Sequence, residues 1–469
     1  MTTGNESLAH WFRRGGWTQR ELARAVTRLG RERGHNVAPD ASRVRRWLDG
    51  EQPRRPVPDL LAALFGERMG LPLAPADLGL VARTPARDEV GWDGGGLVST
   101  LQDFTRSDLM MKRRDVLGTT AALVTGAVLE RRLGGWLRPL DRRAPAGVAA
   151  GRIGLAEIAE IESATATFWS WDARRGGGLY REAVVGQLKA MTDLLDFRYP
   201  AEIARRLYRS TADLARLAGW MSHDVGLQET GQQYFTLALH CAKQADDSRL
   251  GVEVLSRMAR QMVHVGRPRD ALSLVGLARR GGGARIGERE SAMLTTCESW
   301  AHATLGDVAA VDRAVGLAGE RFERAADAPP WLGYFDRAGL EGMAGLSYRT
   351  LAERRPEFAV RAEAHLDTAL RLRRRDAYVR SSLFDRISLA GVRVAQGEHA
   401  EAERVAREVV EAAGGVGSTR TFDRIDALRE RARVDGRRSG EAAGLADTLT
   451  ELVAAHSASR PGRARRTGD

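Results

Sequence analysis

Glycines recur at a regular interval in the second half of the chain. Gly226, Gly266 and Gly306 are 40 residues apart, and Gly397 stands in a similar context. Small or modest side chains follow each glycine at five and at twelve residues: Gly231, Ala271, Val311 and Ala402, then Ala238, Ala278, Ala318 and Val409. Because positions seven apart share one face of an α-helix, the pattern predicts helical hairpins whose second helices are closely approached by neighbours.

A fifth unit keeps the same spacing at Ala362 and Ala369, with its turn near Glu357. Apolar residues at intervals of three and four continue from about residue 155 to residue 453, and no alternating strand pattern appears. This predicts an all-α protein with a right-handed α-superhelical array like that of tetratricopeptide repeats, whose ideal period of ~34 residues is shorter. A non-repetitive helical bundle is the alternative.

Such an array presents a concave surface formed by the first helix of each pair, which suits a peptide, a protein segment or a small molecule. Polar and aromatic residues of these helices are the candidates for the groove: Arg205, Tyr208, Arg209, Arg260, Gln261, His264, Trp331, Tyr334, Asp336 and Arg337. For any one of them, a solvated face or hairpin packing is the alternative. Trp169, Trp171 and Trp220, with Cys241 and Cys297, are predicted to be core residues.

Two short helices are predicted near the N-terminus. Thr18 can cap the first, with Glu21 as its capping-box partner. Asp40 can cap the second, which Gly50 ends and Pro53 prevents from continuing.

The second of these helices has two contrasting faces. Val44, Trp47 and Leu48 share an apolar side, which leaves a polar side with four members: Ser42, Arg43, Arg45 and Arg46. The DNA major groove admits a helix, and the arginine fork can donate two hydrogen bonds to guanine or grip phosphates. A helix-turn-helix used only for protein contact is the alternative.

These two segments resemble a known family. Residues 18–23 (Thr-Gln-Arg-Glu-Leu-Ala), residues 46–50 (Arg-Trp-Leu-Asp-Gly) and Pro53 are similar to the repressor-type helix-turn-helix of the lambda repressor and Cro class. The connection is longer than usual, since 29 residues separate Thr18 from Trp47, against about 18 in the usual pattern, with the additional residues between Arg28 and Pro39.

That length variant, with residues 57–60 and 78–80, resembles an actinobacterial group of transcriptional regulators. In that group an Arg-Arg-Asp segment (here 113–115) precedes a tetratricopeptide-like region (here including 214–220 and 234–239). The group includes negative regulators of sporulation and antibiotic production. The resemblance therefore implies a transcriptional repressor of development or secondary metabolism that binds double-stranded DNA as a homodimer on two half-sites.

The resemblance also implies roles for individual residues. Gln19 would contact phosphate at the start of the helix that Thr18 caps, and Arg20 belongs to the same interface. Ser42, Arg43 and Arg46 would contact bases or phosphates, with Arg45 beside them. Just beyond, the backbone would be gripped by Arg54 and Arg55.

The charge of the chain agrees with a polyanionic partner. The net charge is +11, from 72 basic against 61 acidic residues. Only three of the basic residues are lysines, a bias typical of GC-rich genomes that weakens the argument from total charge. The first 60 residues, however, hold twelve arginines and seven carboxylates, so the basic excess is concentrated around the predicted DNA-binding helices.

Composition divides the chain into four parts. We predict a DNA-binding domain over 1–82, a linker with a connecting helix over 83–154, a repeat domain over 155–456, and a basic flexible tail over 457–469. Residues 111–117 resemble a twin-arginine export signal, but they are internal. The apolar run at 117–129 is shorter than the roughly 20 residues that a bilayer requires. A cytoplasmic protein without membrane contact is therefore expected.

Motifs of enzymes and cofactor sites are missing from the sequence. It contains no P-loop, no dinucleotide-binding glycine fingerprint and no HExxH, and the nine histidines are scattered. We therefore expect no enzymatic activity, no cofactor and no metal. The leading hypothesis is a sequence-specific DNA-binding regulator whose helical repeats bind an effector or protein partner. The alternative is an adaptor that works through protein contacts and has no operator of its own.

Overall fold

The computed structural model describes residues 5–32, 37–53, 56–69, 75–78, 80, 90–94, 96–110, 123–140, 151, 153–326, 328–373, 377–413, 416–436 and 444–451. Helices make up its regular structure, and no β-strand occurs in these ranges. The predicted all-α class is therefore confirmed for the described part of the chain. The chain separates into two compact units, Met1–Glu89 and Val90–Asp469.

Within its described residues, the first unit contains four α-helices and a short 3-10 helix at Pro75–Leu78. The α-helices are α1 (Glu6–Gly15), α2 (Gln19–Glu32), α3 (Ala41–Leu48) and α4 (Val57–Met69). Helix α2 packs against both α3 and α4, and α1 also contacts these two helices. Their common core is built from large apolar side chains, chiefly Leu22, Val26, Val44, Trp47, Leu60, Leu61 and Phe65.

Both predicted helix starts are confirmed. The Thr18 amide donates to Glu21 Oε2 at 2.7 Å, and the Glu21 amide donates to Thr18 Oγ1 at 3.2 Å, which makes a reciprocal capping box. The Asp40 carboxylate accepts from the Arg43 amide at 2.8 Å at the start of α3. Local sequence chemistry thus sets the beginnings of α2 and α3.

The second unit contains fifteen bounded α-helices within its described residues: α5 (Leu97–Met110), α6 (Gly126–Leu133), α7 (Leu155–Arg175), α8 (Arg181–Leu194), α9 (Ala201–Asp224), α10 (Gln228–Gln244), α11 (Ser248–His264), α12 (Pro268–Gly282), α13 (Glu288–Leu305), α14 (Val308–Arg324), α15 (Arg337–Ala352), α16 (Ala359–Leu372), α17 (Val379–Gln396), α18 (His399–Ala413) and α19 (Thr419–Gly436). Helices α5 and α6, from the predicted linker segment, contribute Leu97, Leu101 and Leu133 to this unit's core.

Helices α9 to α18 form five consecutive hairpins, and the first helix of each pair packs on the first helix of the next. The predicted turn glycines Gly226, Gly266, Gly306 and Gly397 have φ between 76° and 89°, the left-handed region that only glycine adopts without strain. Residues five and twelve positions after these glycines are buried in the second helices. Ala362 and Ala369 are buried in the same way in α16. The predicted turns and close-packed faces are confirmed.

Helix α7 lies against first helices from opposite ends of this series, since it packs on both α9 and α17. The chain after α7 also reaches the segment before α19. The Gly178 amide donates to the Gly417 carbonyl at 2.9 Å, and the Gly417 amide donates to the Arg175 carbonyl at 2.8 Å. Helix α7 therefore covers the side on which the first helices face each other.

Several sequence-based expectations fall outside the described residues. These are Arg54, Arg55, the segment 113–115, residues 117–122 of the apolar run at 117–129 and the tail at 457–469. Within the described part, no helix is long and apolar enough to cross a membrane. Cys241 and Cys297 are buried free thiols, as expected.

Candidate functional site

The exposed face of α3 carries the residues that the sequence assigned to DNA contact. Val44 and Trp47 are buried, whereas four residues are exposed: Ser42, Arg43, Arg45 and Arg46. The helix therefore presents three guanidinium groups to solvent on an apolar support. Arg20 is also exposed in the first turn of α2, and Gln19 beside it is half-buried.

The ion pairs on this face are loose. Arg45 Nε lies 3.7 Å from Asp49 Oδ2, and Arg46 Nε lies 3.5 Å from Glu51 Oε2, with all four side chains mostly exposed. Pairs of this kind contribute little to stability. Both arginines can therefore exchange these carboxylates for a phosphate or a base edge at small cost.

The second unit contains a partly open cavity of about 770 Å³. It lies on the inner side of the first helices, with walls from α7, α9, α11, α13, α15, α17 and α19 and from the segment 329–335. Four residues of the predicted groove line it: Arg209, Arg260, Trp331 and Tyr334. The cavity is of the size that holds a small organic molecule.

The other six residues of the predicted groove lie elsewhere. Arg205 is exposed, and burial raises the pKa of the half-buried Tyr208 to about 12. Buried Gln261 donates to the Gln228 carbonyl, while the His264 ring contacts the His223 ring at 5.1 Å.

The two remaining residues of the predicted groove, Asp336 and Arg337, lie at the start of helix α15. Asp336 accepts from the Gly339 amide as the N-cap of α15, and Arg337 donates to Glu341 at 2.9 Å.

Arginine and aromatic side chains alternate along the cavity wall. Arg216 lies 4.3 Å from the Trp169 ring centroid, and Arg257 lies 5.5 Å from the same ring and 4.4 Å from that of Trp220. Arg420 is also 4.4 Å from the Trp220 ring centroid.

The series continues into α17 and α19. Phe384 is 5.3 Å from Arg420 and 4.3 Å from Arg424. We call this series from Arg216 to Arg424 the arginine–aromatic ladder. Cation–π contacts of this kind are stabilising when they are desolvated.

A branch leads from Arg257 over Tyr334, at 4.2 Å, to Arg260, at 5.6 Å. The Tyr334 hydroxyl donates to Glu253 Oε2 at 3.0 Å, and burial raises the pKa of Tyr334 to about 12. Tyr334 therefore stays a neutral donor near neutral pH.

Eight arginines line the cavity within the described residues, and six of them have carboxylate partners. Those six pairs have N–O distances of 2.5 to 2.9 Å: Arg209–Asp247, Arg216–Asp213, Arg257–Glu253, Arg373–Asp385, Arg380–Asp172 and Arg420–Asp224. These pairs largely balance the charge of the wall.

Arg260 and Arg424 are the two exceptions. Arg260 Nε lies 3.4 Å from the weak acceptor Cys297 Sγ, and its buried Nη2 has no hydrogen-bond partner. No carboxylate of the described chain lies within ion-pair distance of Arg424. Burial and the neighbouring Arg420 lower its pKa to about 9. Both guanidinium groups are therefore incompletely compensated.

Sequence reasoning missed most of this ladder. Trp220 was expected in the core, and it is 6% exposed, yet its indole Nε1 lacks a hydrogen-bond partner and it lines the cavity. Trp169 and Trp171 are only half-buried, and Trp169 lines the cavity as well. The spacing of Arg209, Arg216 and Trp220 on one face of α9 is the local signal that could have identified this wall.

Comparison with known proteins identifies a similarity at the N-terminus. A family model described as the SP15 N-terminal domain matches residues 8–81. This range corresponds to the first compact unit and includes α2 and α3. No curated protein and no solved structure matches the chain.

Proposed function

We propose that this chain is a sequence-specific DNA-binding transcriptional regulator, with α2 and α3 as a helix-turn-helix pair and α3 as the recognition helix. The observation that carries the proposal is the two-sided character of α3. Its apolar side is fixed in the core by Val44 and Trp47, and its three arginines are exposed. A rigidly mounted helix with an arginine-rich outer side suits the major groove.

The second unit has the role of an effector-binding region in this proposal. Its five hairpins, stacked by their first helices, support a tetratricopeptide-like superhelix. The cavity on the inner side of those helices supports binding of an effector there. The resemblance noted above extends the proposal to a homodimeric repressor of development or secondary metabolism.

A selection from genomic DNA tests the proposal. Purified full-length protein is mixed with sheared DNA of its own organism, and the fragments retained at moderate salt are sequenced. We expect one or a few motifs, with two-fold symmetry if a dimer binds. The affinity for a recovered motif should exceed that for random DNA by ~10³ or more.

The double substitution Arg43→Ala with Arg46→Ala tests the recognition helix. We expect loss of the specific affinity with unchanged helicity, because both side chains are exposed and neither supports the core. Arg313→Ala with Arg354→Ala, two exposed arginines of the second unit, is the matched control and should bind normally. Retention of all fragments or of none by the wild type would instead favour an adaptor that works through protein contacts.

A further inference from the structure

We propose that the cavity of the second unit binds a small organic dianion with a flat apolar body. The inference rests on the proposed function, because the dianion is taken to be the effector of the proposed regulator. The site consists of Arg260, Arg424 and Trp220, within the wall formed by the arginine–aromatic ladder.

The charge of the wall is the first argument. Six of the eight lining arginines have a carboxylate partner in the described chain, whereas Arg260 and Arg424 have none within ion-pair distance. A desolvated charge without a partner is costly to a folded protein. Two such cations on one cavity are compensated by a ligand with two acidic groups.

Unused hydrogen-bond donors are the second argument. Arg260 Nη2 and Trp220 Nε1 are buried without a partner, and both residues line the cavity. Native proteins satisfy most buried polar atoms. Neither group is an acceptor, so the unmet demand is for acceptor atoms such as carboxylate oxygens.

The size and the apolar lining are the third argument. A volume of about 770 Å³ lies within the range for small-molecule sites. Beyond the ladder, the lining includes the rings of Trp300, Trp331, Phe335 and Tyr378. These rings offer flat apolar surfaces to a flat apolar body, while the arginines receive its acidic groups.

Calorimetric titration of the full-length protein with three probes of equal ring size tests the proposal. The probes are 2,6-naphthalenedicarboxylate, 2-naphthoate and the uncharged 2-naphthamide. We expect the dicarboxylate to bind at least tenfold more tightly than the monoacid, and the amide to bind more weakly still. Equal affinities for all three probes, or no binding of the dicarboxylate, would overturn the proposal.

Substitutions identify the two cations. Arg260→Gln and Arg424→Gln should each weaken dicarboxylate binding about tenfold, because each removes one charge-assisted contact. The exposed Arg313→Gln should have no effect, and Arg424→Lys should retain part of the affinity. Unchanged dicarboxylate affinity in both glutamine variants would contradict the assignment of the site.

A stability measurement shows whether the variants remain folded. In the absence of probe, Arg424→Gln should melt at the same temperature as the wild type or higher, because it removes a cation that Arg420 and Arg349 crowd. A lower melting temperature with unchanged probe affinity would show that Arg424 is structural.

Two further measurements separate this inference from its rivals. A tetraglutamate peptide that binds more tightly than the dicarboxylate would overturn the proposal in favour of an acidic protein segment. DNA binding is measured separately, without probe. A chain that binds its operator but not the dicarboxylate would refute the ligand class alone, and the reverse result would refute the regulator alone.

Discussion

Asp224 is a buried carboxylate beside the cavity that accepts hydrogen bonds from several groups. Its oxygens accept from the Gly177 amide at 3.0 Å, the Ser418 hydroxyl at 2.9 Å and Arg420 Nε at 2.9 Å. Burial would raise the pKa of Asp224, but Arg380 and Arg420 hold it well below its usual range. The residue thus joins the end of α9 to the segments that begin α17 and α19.

We expect Asp224→Asn to lower the free energy of unfolding by about 3–5 kcal/mol, because it leaves two buried arginines without their shared carboxylate. Urea denaturation checks this, with exposed Asp426→Asn as the control. The sign of the pH effect follows from the lowered pKa. The carboxylate stabilises the fold above about pH 4 and loses this contribution as the pH falls, so the variant should be less sensitive to acid. An unchanged denaturation midpoint would contradict this role.

Local sequence patterns cannot predict ion pairs between residues that are so distant in the sequence. Arg380 bonds to Asp172 across 208 positions and Arg420 to Asp224 across 196. Neither pair has a helical spacing or a motif that singles it out from the many other arginine–carboxylate combinations that the sequence offers. Only the packing of α7 on α9 and α17, and of α19 on α17, brings them together. The polar network was therefore unpredictable, although the helices that carry it were predicted.

At the scale of elements, the turn glycines are the most informative residues of the chain. Gly266 has a φ of +76°, and a Cβ atom there would meet no atom within 4 Å. The left-handed backbone is consequently its only constraint. Gly316 lies exposed in α14 and also has open space around it, without a positive φ.

Replacement of these two glycines by alanine should have opposite effects. Gly266→Ala should lower the free energy of unfolding by about 1–2 kcal/mol, because an L-residue is strained at positive φ. Gly316→Ala should raise it by about 0.5–1 kcal/mol, because alanine favours the helix. Thermal denaturation of the two variants under one condition checks both signs. A loss of stability in both would mean that packing, not backbone conformation, controls these positions.

Elements were predictable where the signal is local. The helix caps of α2 and α3, the glycine turns and the buried positions of the second helices each depend on residues within about twelve positions of one another. The exposed side of α3 was predictable for the same reason. The full wall of the cavity was not, because α7 packs on α17, and α17 on α19, only once the series of hairpins has formed.

At the scale of the whole molecule, arginine has two different uses. On the described α3 it is exposed and loosely paired, whereas around the cavity it is buried, stacked on rings and mostly paired. The net charge of +11 counts the exposed and the buried arginines together. Buried arginine–carboxylate pairs already cancel within that sum, so the net charge does not say where on the molecule the positive excess is available to DNA.

The salt dependence of binding to random duplex DNA distinguishes direct contact at α3 from attraction by the overall positive charge. Each phosphate contact adds about 0.9 to the slope of log affinity against log salt concentration. Arg43→Ala with Arg46→Ala should reduce the slope by up to about 2, since the proposal places both arginines at the DNA. Arg313→Ala with Arg354→Ala removes the same charge and should leave the slope unchanged. Equal reductions of the slope in both variants would mean that DNA affinity depends on the overall charge and not on contacts at α3. A reduction confined to the α3 variant would place the polyanion at this helix before any operator is known.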